Sequence, residues 1–115
     1  MKNGINKVTL VGNVGEAPRF NQMENKQAVA HFSLATNDDY TDREGKEVKR
    51  TEWHRITAFN KKAELVKNYV KKGDPLYIEG RLQTSSYDDK DGVKKTSTEI
   101  ICENLMFLSS RESKE

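Results

Sequence analysis

The chain has 115 residues, the size of one ordinary domain, and carries 34% hydrophobic residues, 33% charged residues and a formal net charge of +2. So small an apolar share beside so large a charged one allows a single thin core under a polar surface, and the charge excess is too slight to point to nucleic acid by itself. The lone cysteine, Cys102, excludes a disulfide within the chain, Met1–Lys7 leads into no secretory apolar core, and no apolar run approaches membrane-spanning length; a cytoplasmic setting is expected.

Period-two alternation appears first over Ile5–Val14, with Val8, Leu10 and Val14 on one side. Gly12 and Gly15 mark a sharp bend or bulge there, and Ile5–Val11 offers an apolar strand edge to a symmetry mate. A second strand is predicted over Ala28–Thr36, with Ala30, Phe32 and Leu34 on one face. Asp38–Arg50 reads as a long polar hairpin turning near Glu44 and Gly45, and a third strand covers Thr51–Phe59. The spacing then becomes helical over Asn60–Gly73: Ala63, Val66 and Val70 form a stripe flanked by Leu65 and Tyr69. Asn60 is the expected N-cap, Gly73 before Pro75 the stop, and Lys67, Lys71 and Lys72 the last-turn cations that suit the helix dipole.

A fourth strand, Leu76–Leu82, turns Leu76, Ile78, Gly80 and Leu82 one way and Tyr77, Glu79 and Arg81 the other. Gln83–Lys95 is a second long hairpin around Asp91-Gly92, and a fifth strand covers about Thr96–Leu108, with Cys102 as a buried, inert thiol. Residues 1–108 are therefore expected to form one domain and 109–115 a polar fray. Three strands, a helix and two strands make an all-β chain with one helix. This is the order of a five-stranded Greek-key barrel of the oligonucleotide/oligosaccharide-binding (OB) type, with its helix between strands 3 and 4.

The third strand carries the functional signal. Alternation places Trp53, Arg55, Thr57 and Phe59 on the solvent side and His54, Ile56 and Ala58 on the core side. An indole, a guanidinium and a phenyl ring facing water are what unpaired bases need, because every base has a flat face that stacks for about 1–3 kcal/mol whatever the sequence. Packing of these rings against a loop or another subunit is the competing account. Tyr40 and Tyr87 on the two hairpins, Tyr77 facing outward, and nearby cations including Lys61 and Arg50 favour a stacking platform in an electrostatic groove.

Asn6-Lys7-Val8-x-Leu10-Val11-Gly12-Asn13, Thr51-Glu52-Trp53-His54-Arg55 and Tyr77-Ile78-Glu79-Gly80 carry a resemblance, with Phe59 and Ala63-Glu64 at matching spacing. Over roughly residues 4–108 the chain resembles bacterial and mitochondrial single-stranded-DNA-binding proteins of the tetrameric type. The resemblance implies base stacking at Tyr40, Trp53, Phe59 and Tyr87, and a backbone path along Lys7, Arg55, Lys61 and Lys72. It implies a subunit contact at His54, a homotetramer built as a dimer of dimers, a bacterial nucleoid-associated location, and no metal or cofactor. The implied role is to coat single strands during replication, recombination and repair. Tyr40 and Tyr87 stand where the best-known members have Trp, and Ser85 and Ser86 replace a basic pair, so weaker contacts on that hairpin are expected. The acidic tip through which such proteins recruit others is not found in Arg111–Glu115, which leaves recruitment of replication and repair proteins in doubt.

Other classes stay open on the residues alone. His31, His54, Asp38, Asp39 and Asp42 could be drawn as a metal-dependent nuclease site, but no ligand-spaced pair supports it, and His31 reads as a hydrogen-bonded structural residue. A dimeric primosomal OB protein and a pure protein-interaction barrel are the remaining alternatives.

Overall fold

The computed structural model describes residues 3–108, so the stretch read as a polar fray, 109–115, lies outside the described residues. Along the chain come β1 (Val8–Val14), β2 (Arg19–Gln22), β3 (Ala28–Asn37), β4 (Tyr40–Thr41), β5 (Glu47–Val48), β6 (Thr51–Phe59), α1 (Lys61–Tyr69), β7 (Pro75–Asp88) and β8 (Lys94–Phe107). The main sheet runs β1-β7-β8-β6-β3-β2 and curls until β1 meets β3, with Asn13 opposite Ala35 and Val14 opposite Leu34. The ring β1-β7-β8-β6-β3 is the five-stranded OB barrel. Its pairings are antiparallel except for β6 with β8.

The alternation fixes what fills the ring. Ala30 and Leu34 of β3, Ile56 and Ala58 of β6, and Leu76 and Ile78 of β7 are fully buried, and each larger aliphatic side chain contributes about 1.5–3 kcal/mol by leaving water. Helix α1 lays Ala63 and Val66 against this core, with Leu65 partly covered. Burial pushes the Cys102 thiol up to about 11, which keeps it protonated and unreactive.

Several elements depart from the sequence expectation. Strand β1 begins at Val8 rather than Ile5, because Asn6 uses its side chain in place of its backbone: Nδ2 donates to the Leu82 carbonyl and Oδ1 accepts from the Leu82 N–H, both at 2.9 Å. Strand β2 was not expected; Arg19–Gln22 has one apolar residue and is made a strand by its pairing with Ala28–His31. The helix ends at Tyr69, so Lys71 and Lys72 lie beyond its last turn, and Tyr69 is exposed rather than flanking a buried stripe. Asn60 occupies the N-cap position at φ 55° without a side-chain cap; its Oδ1 instead accepts from the Ala28 N–H.

The two long hairpins are not loops of the same kind. Asp38–Arg50 holds only the short β4–β5 ladder, whereas β7 and β8 remain paired out to Asp88 opposite Lys94 and project as a two-stranded arm. Leu82, which alternation turns the same way as the buried Leu76 and Ile78, is therefore exposed at the base of that arm. A bulge at Glu79/Gly80 leaves Glu103 without an opposite residue. There the backbones approach so closely that a Cβ on Gly80 would lie 2.0 Å from the Ile101 carbonyl oxygen. Both hairpin tips use the same device. Asp42 Oδ1 accepts the N–H groups of Glu44 and Lys46, and Asp89 Oδ1 those of Asp91 and Val93, with Gly45 and Gly92 supplying positive φ.

Candidate nucleic-acid interface

The outer side of β6 forms the floor of a groove of about 810 Å³. Antiparallel register with β3 sets Trp53 beside Ala35, Arg55 beside Ser33, Thr57 beside His31 and Phe59 beside Val29. Strand β2 adds Arg19 next to His31, and parallel β8 brings Ser97 and Glu99 to the other flank.

Trp53 is 60% exposed although it belongs to a central strand. Its indole lies against Gly15, where a Cβ would come 2.3 Å from Cζ3, and the Gly15 N–H donates to the Ser33 carbonyl at 2.9 Å. The glycine thus supports the ring while leaving most of it open. Arg55 Nη1 donates to Ser97 Oγ at 2.6 Å, which turns the guanidinium toward β8. Phe59 is half-buried at the α1 end of the same outer row. Thr57, expected to face solvent, is buried at 2% exposure, because its hydroxyl is enclosed between His31 on β3 and Glu99 on β8.

The remaining predicted residues lie around this groove or away from it. Tyr40 is half-open on β4, with the Arg50 guanidinium 4.9 Å from its ring centre and Arg50 held by Asp38 at 2.6 Å. That carboxylate keeps the Arg50 guanidinium above its ordinary value. Tyr87 is exposed near the tip of the arm, opposite Lys95, while Ser85 and Ser86 face Ser97 and Thr96. Lys61 opens α1 and is exposed. Lys72, also exposed, comes to the Gly15 end of β1 because the Gly73 N–H donates to the Val14 carbonyl.

Lys7 and Tyr77 belong to a different face. Lys7 Nζ pairs with Glu79 at 3.1 Å, and the Tyr77 hydroxyl donates to Glu79 at 3.2 Å. Hydrogen bonding to Lys7 and Tyr77, with the Lys7 charge, holds the Glu79 carboxyl below its usual range, and Lys7 is raised in turn. Tyr77 is half-buried beside Val11 and Met106, outside the groove. His54 is half-buried on the barrel side, Nε2 3.0 Å from Thr36 Oγ1.

Among the described residues no three His, Cys, Asp or Glu side chains gather as metal ligands, and no helix is long and apolar enough to cross a membrane. The carboxylates considered for a nuclease have other tasks. Asp38 pairs with Arg50, Asp39 accepts the Arg50 N–H, and Asp42 organises its turn.

The sequence profile of the Single-strand binding protein family spans residues 5–108. The chain belongs to this family. It is 46% identical over 114 residues to Single-stranded DNA-binding protein 1 of Chlorobaculum tepidum, covering 98% of this chain and 70% of that protein. With the Single-stranded DNA-binding protein of Neisseria meningitidis serogroup A it shares 43% over 107 residues, 93% of this chain and 62% of the relative's length. A solved structure of the Plasmodium falciparum SSB complex with ssDNA superposes with a TM-score of 0.85 at 34% identity, covering 95% of this chain and 99% of that one.

Within the family frame, the groove holds Gly15, Arg19, His31 and Glu99, none of which the sequence reading placed at the site. In the sequence Gly15 looks only like a bend. Arg19 sat on an unrecognised strand, and Glu99 is 42 residues from Thr57. Their meeting depends on register, which no local pattern reports.

Proposed function

We propose that residues 1–108 form one domain that binds and coats single-stranded DNA, largely without sequence preference, in replication, recombination and repair. The carrying observation is the open Trp53 indole lying on Gly15 beside Arg55. Bases stack on Trp53 and Phe59 and, on the two hairpins, on Tyr40 and Tyr87, while Arg55, Lys61 and Lys72 follow the phosphates. Lys7 joins that path only by exchanging Glu79 for a phosphate. Tyr77 is the weakest of the proposed contacts, since its ring is half-covered and its hydroxyl engaged. The role is binding, not catalysis, and needs no cofactor.

Trp53 is the single tryptophan, so one indole reports the transition. Titration with oligo-dT is expected to quench most of its emission, with Trp53→Ala losing about 1–3 kcal/mol of binding and little of the fold. Blue-shifted emission that ignores oligo-dT, or duplex binding as tight as single-strand binding, would overturn this reading and favour a protein-interaction barrel.

The assembly proposed is a homotetramer, a dimer of dimers, acting in the bacterial cytoplasm at the nucleoid. Two observations support it: among the described residues Val8–Gly12 pairs only with β7, leaving its other edge open, and Val11, Tyr77 and Met106 make an apolar row across β1, β7 and β8. Second copies of this chain are the occupants that such an edge and row fit. His54→Trp should loosen the assembly before it unfolds the domain. Sedimentation as a monomer at micromolar concentration would count against it, and a stable dimer would favour the primosomal alternative.

A further inference from the structure

Three strands converge on one hydroxyl in the groove floor. Thr57 Oγ1 donates its proton to Glu99 Oε1 and lies 3.1 Å from His31 Nδ1. A hydroxyl has one proton to give, so its oxygen accepts from His31, and Nδ1 must carry a hydrogen. The tautomer is therefore fixed, and Nε2 is the atom that gains or loses a proton. His31 is exposed in the groove, and Nε2 has no hydrogen-bond partner among the described residues.

The surroundings are balanced in charge. Arg19 stands beside His31 on β2, Arg55 lies one row along β6, Glu99 faces it from β8 through Thr57, and Glu16 lines the groove from the segment after β1. Two cations oppose a charge on the ring and two carboxylates favour it. A phosphate entering between Arg19 and Arg55 adds negative charge where Nε2 is open, and a charged ring can donate to it.

We infer that His31 is a proton-linked phosphate contact: the strand binds more tightly when Nε2 is protonated, and the His31–Thr57–Glu99 chain holds the ring in place for it. Protonation places a positive charge beside the entering phosphate, so affinity rises as pH falls. The inference rests on the groove being the single-strand path.

The test is a titration of the untagged protein with oligo-dT, whose bases do not titrate in this range, at pH 6.0 and pH 8.0 and constant ionic strength. Wild type should bind severalfold more tightly at pH 6.0 than at pH 8.0. His31→Gln should lose that gain, its affinity changing far less between the two pH values than that of wild type. Calorimetry of wild type near neutral pH, in buffers of different ionisation enthalpy, should show uptake of a fraction of a proton per chain, independent of whether the variant folds. Equal pH slopes in wild type and His31→Gln, or no proton uptake, would overturn the inference while leaving oligo-dT binding intact. Absence of oligo-dT binding at both pH values would remove the functional reading and this inference together.

Discussion

Gly15→Ala is a small change with a large expected consequence. Gly15 does not occupy the left-handed region, so the backbone accepts alanine and the effect is one of space alone. The added methyl would stand 2.3 Å from Trp53 Cζ3 and 2.6 Å from Ser33 Oγ, where ordinary contact begins near 3.4 Å. Ser33 Oγ escapes by rotation, but the rigid indole must shift by about 1 Å, tilting the face on which a base stacks. Because Trp53 is 60% exposed, that shift exposes little further apolar area and should cost less than about 1 kcal/mol of stability. Binding should suffer more, up to the value of one stack, about 1–3 kcal/mol or roughly 5- to 150-fold in Kd. Oligo-dT titrations of wild type, Gly15→Ala, Trp53→Ala and the double variant form a cycle that isolates the contact. In the Trp53→Ala background, Gly15→Ala should cost nothing. An equal loss in both backgrounds would refute the argument, since the methyl would then act through the backbone rather than the ring.

Salt and pH give two further expectations. Affinity for oligo-dT should fall log-linearly with salt at about 0.7 per phosphate neutralised, and Lys61→Ala or Lys72→Ala should each lower the slope by about that amount. Lys7→Ala should lower it less, because Lys7 already has Glu79 as a partner, and Glu79→Gln should raise affinity; unchanged slopes in all variants would remove these lysines from the path. At the arm tip, the Val93 N–H foremost, then the Asp91 N–H and Lys95, hold the Asp89 carboxyl below its usual range. Since the folded value is the lower one, this anchoring is complete above the unfolded value of about 4 and is lost as pH falls through the depressed folded value. The Val93 amide shift followed by NMR should titrate with a midpoint below that of an unperturbed aspartate; a midpoint at or above it would show that the turn does not depend on the carboxylate.

The alternating apolar residues of β1, β3 and β6, the helical stripe Ala63, Val66 and Val70, and the Asp-Gly hairpin tip were legible because each is a local pattern whose period is set by backbone geometry. So was the exposure of Trp53, which follows from alternation with Ile56 and Ala58 in the core. Strand β2 is not legible in the sequence because Arg19–Gln22 has no periodicity of its own and exists only by pairing with β3. Leu82 misled because its alternation is correct while the barrel ends beneath it, at a bulge that depends on the approach of Ile101. The burial of Thr57 was equally out of reach, since it needs partners from two other strands on both sides of the hydroxyl. The sequence alone determined which side of β6 faces out and which rings it carries, because side-chain direction along a strand is local. Only the tertiary structure decided what stands beside those rings. Gly15 under the indole and Glu99 behind Thr57 are placed by register and closure of the sheet, and both depend on contacts between residues far apart in the chain.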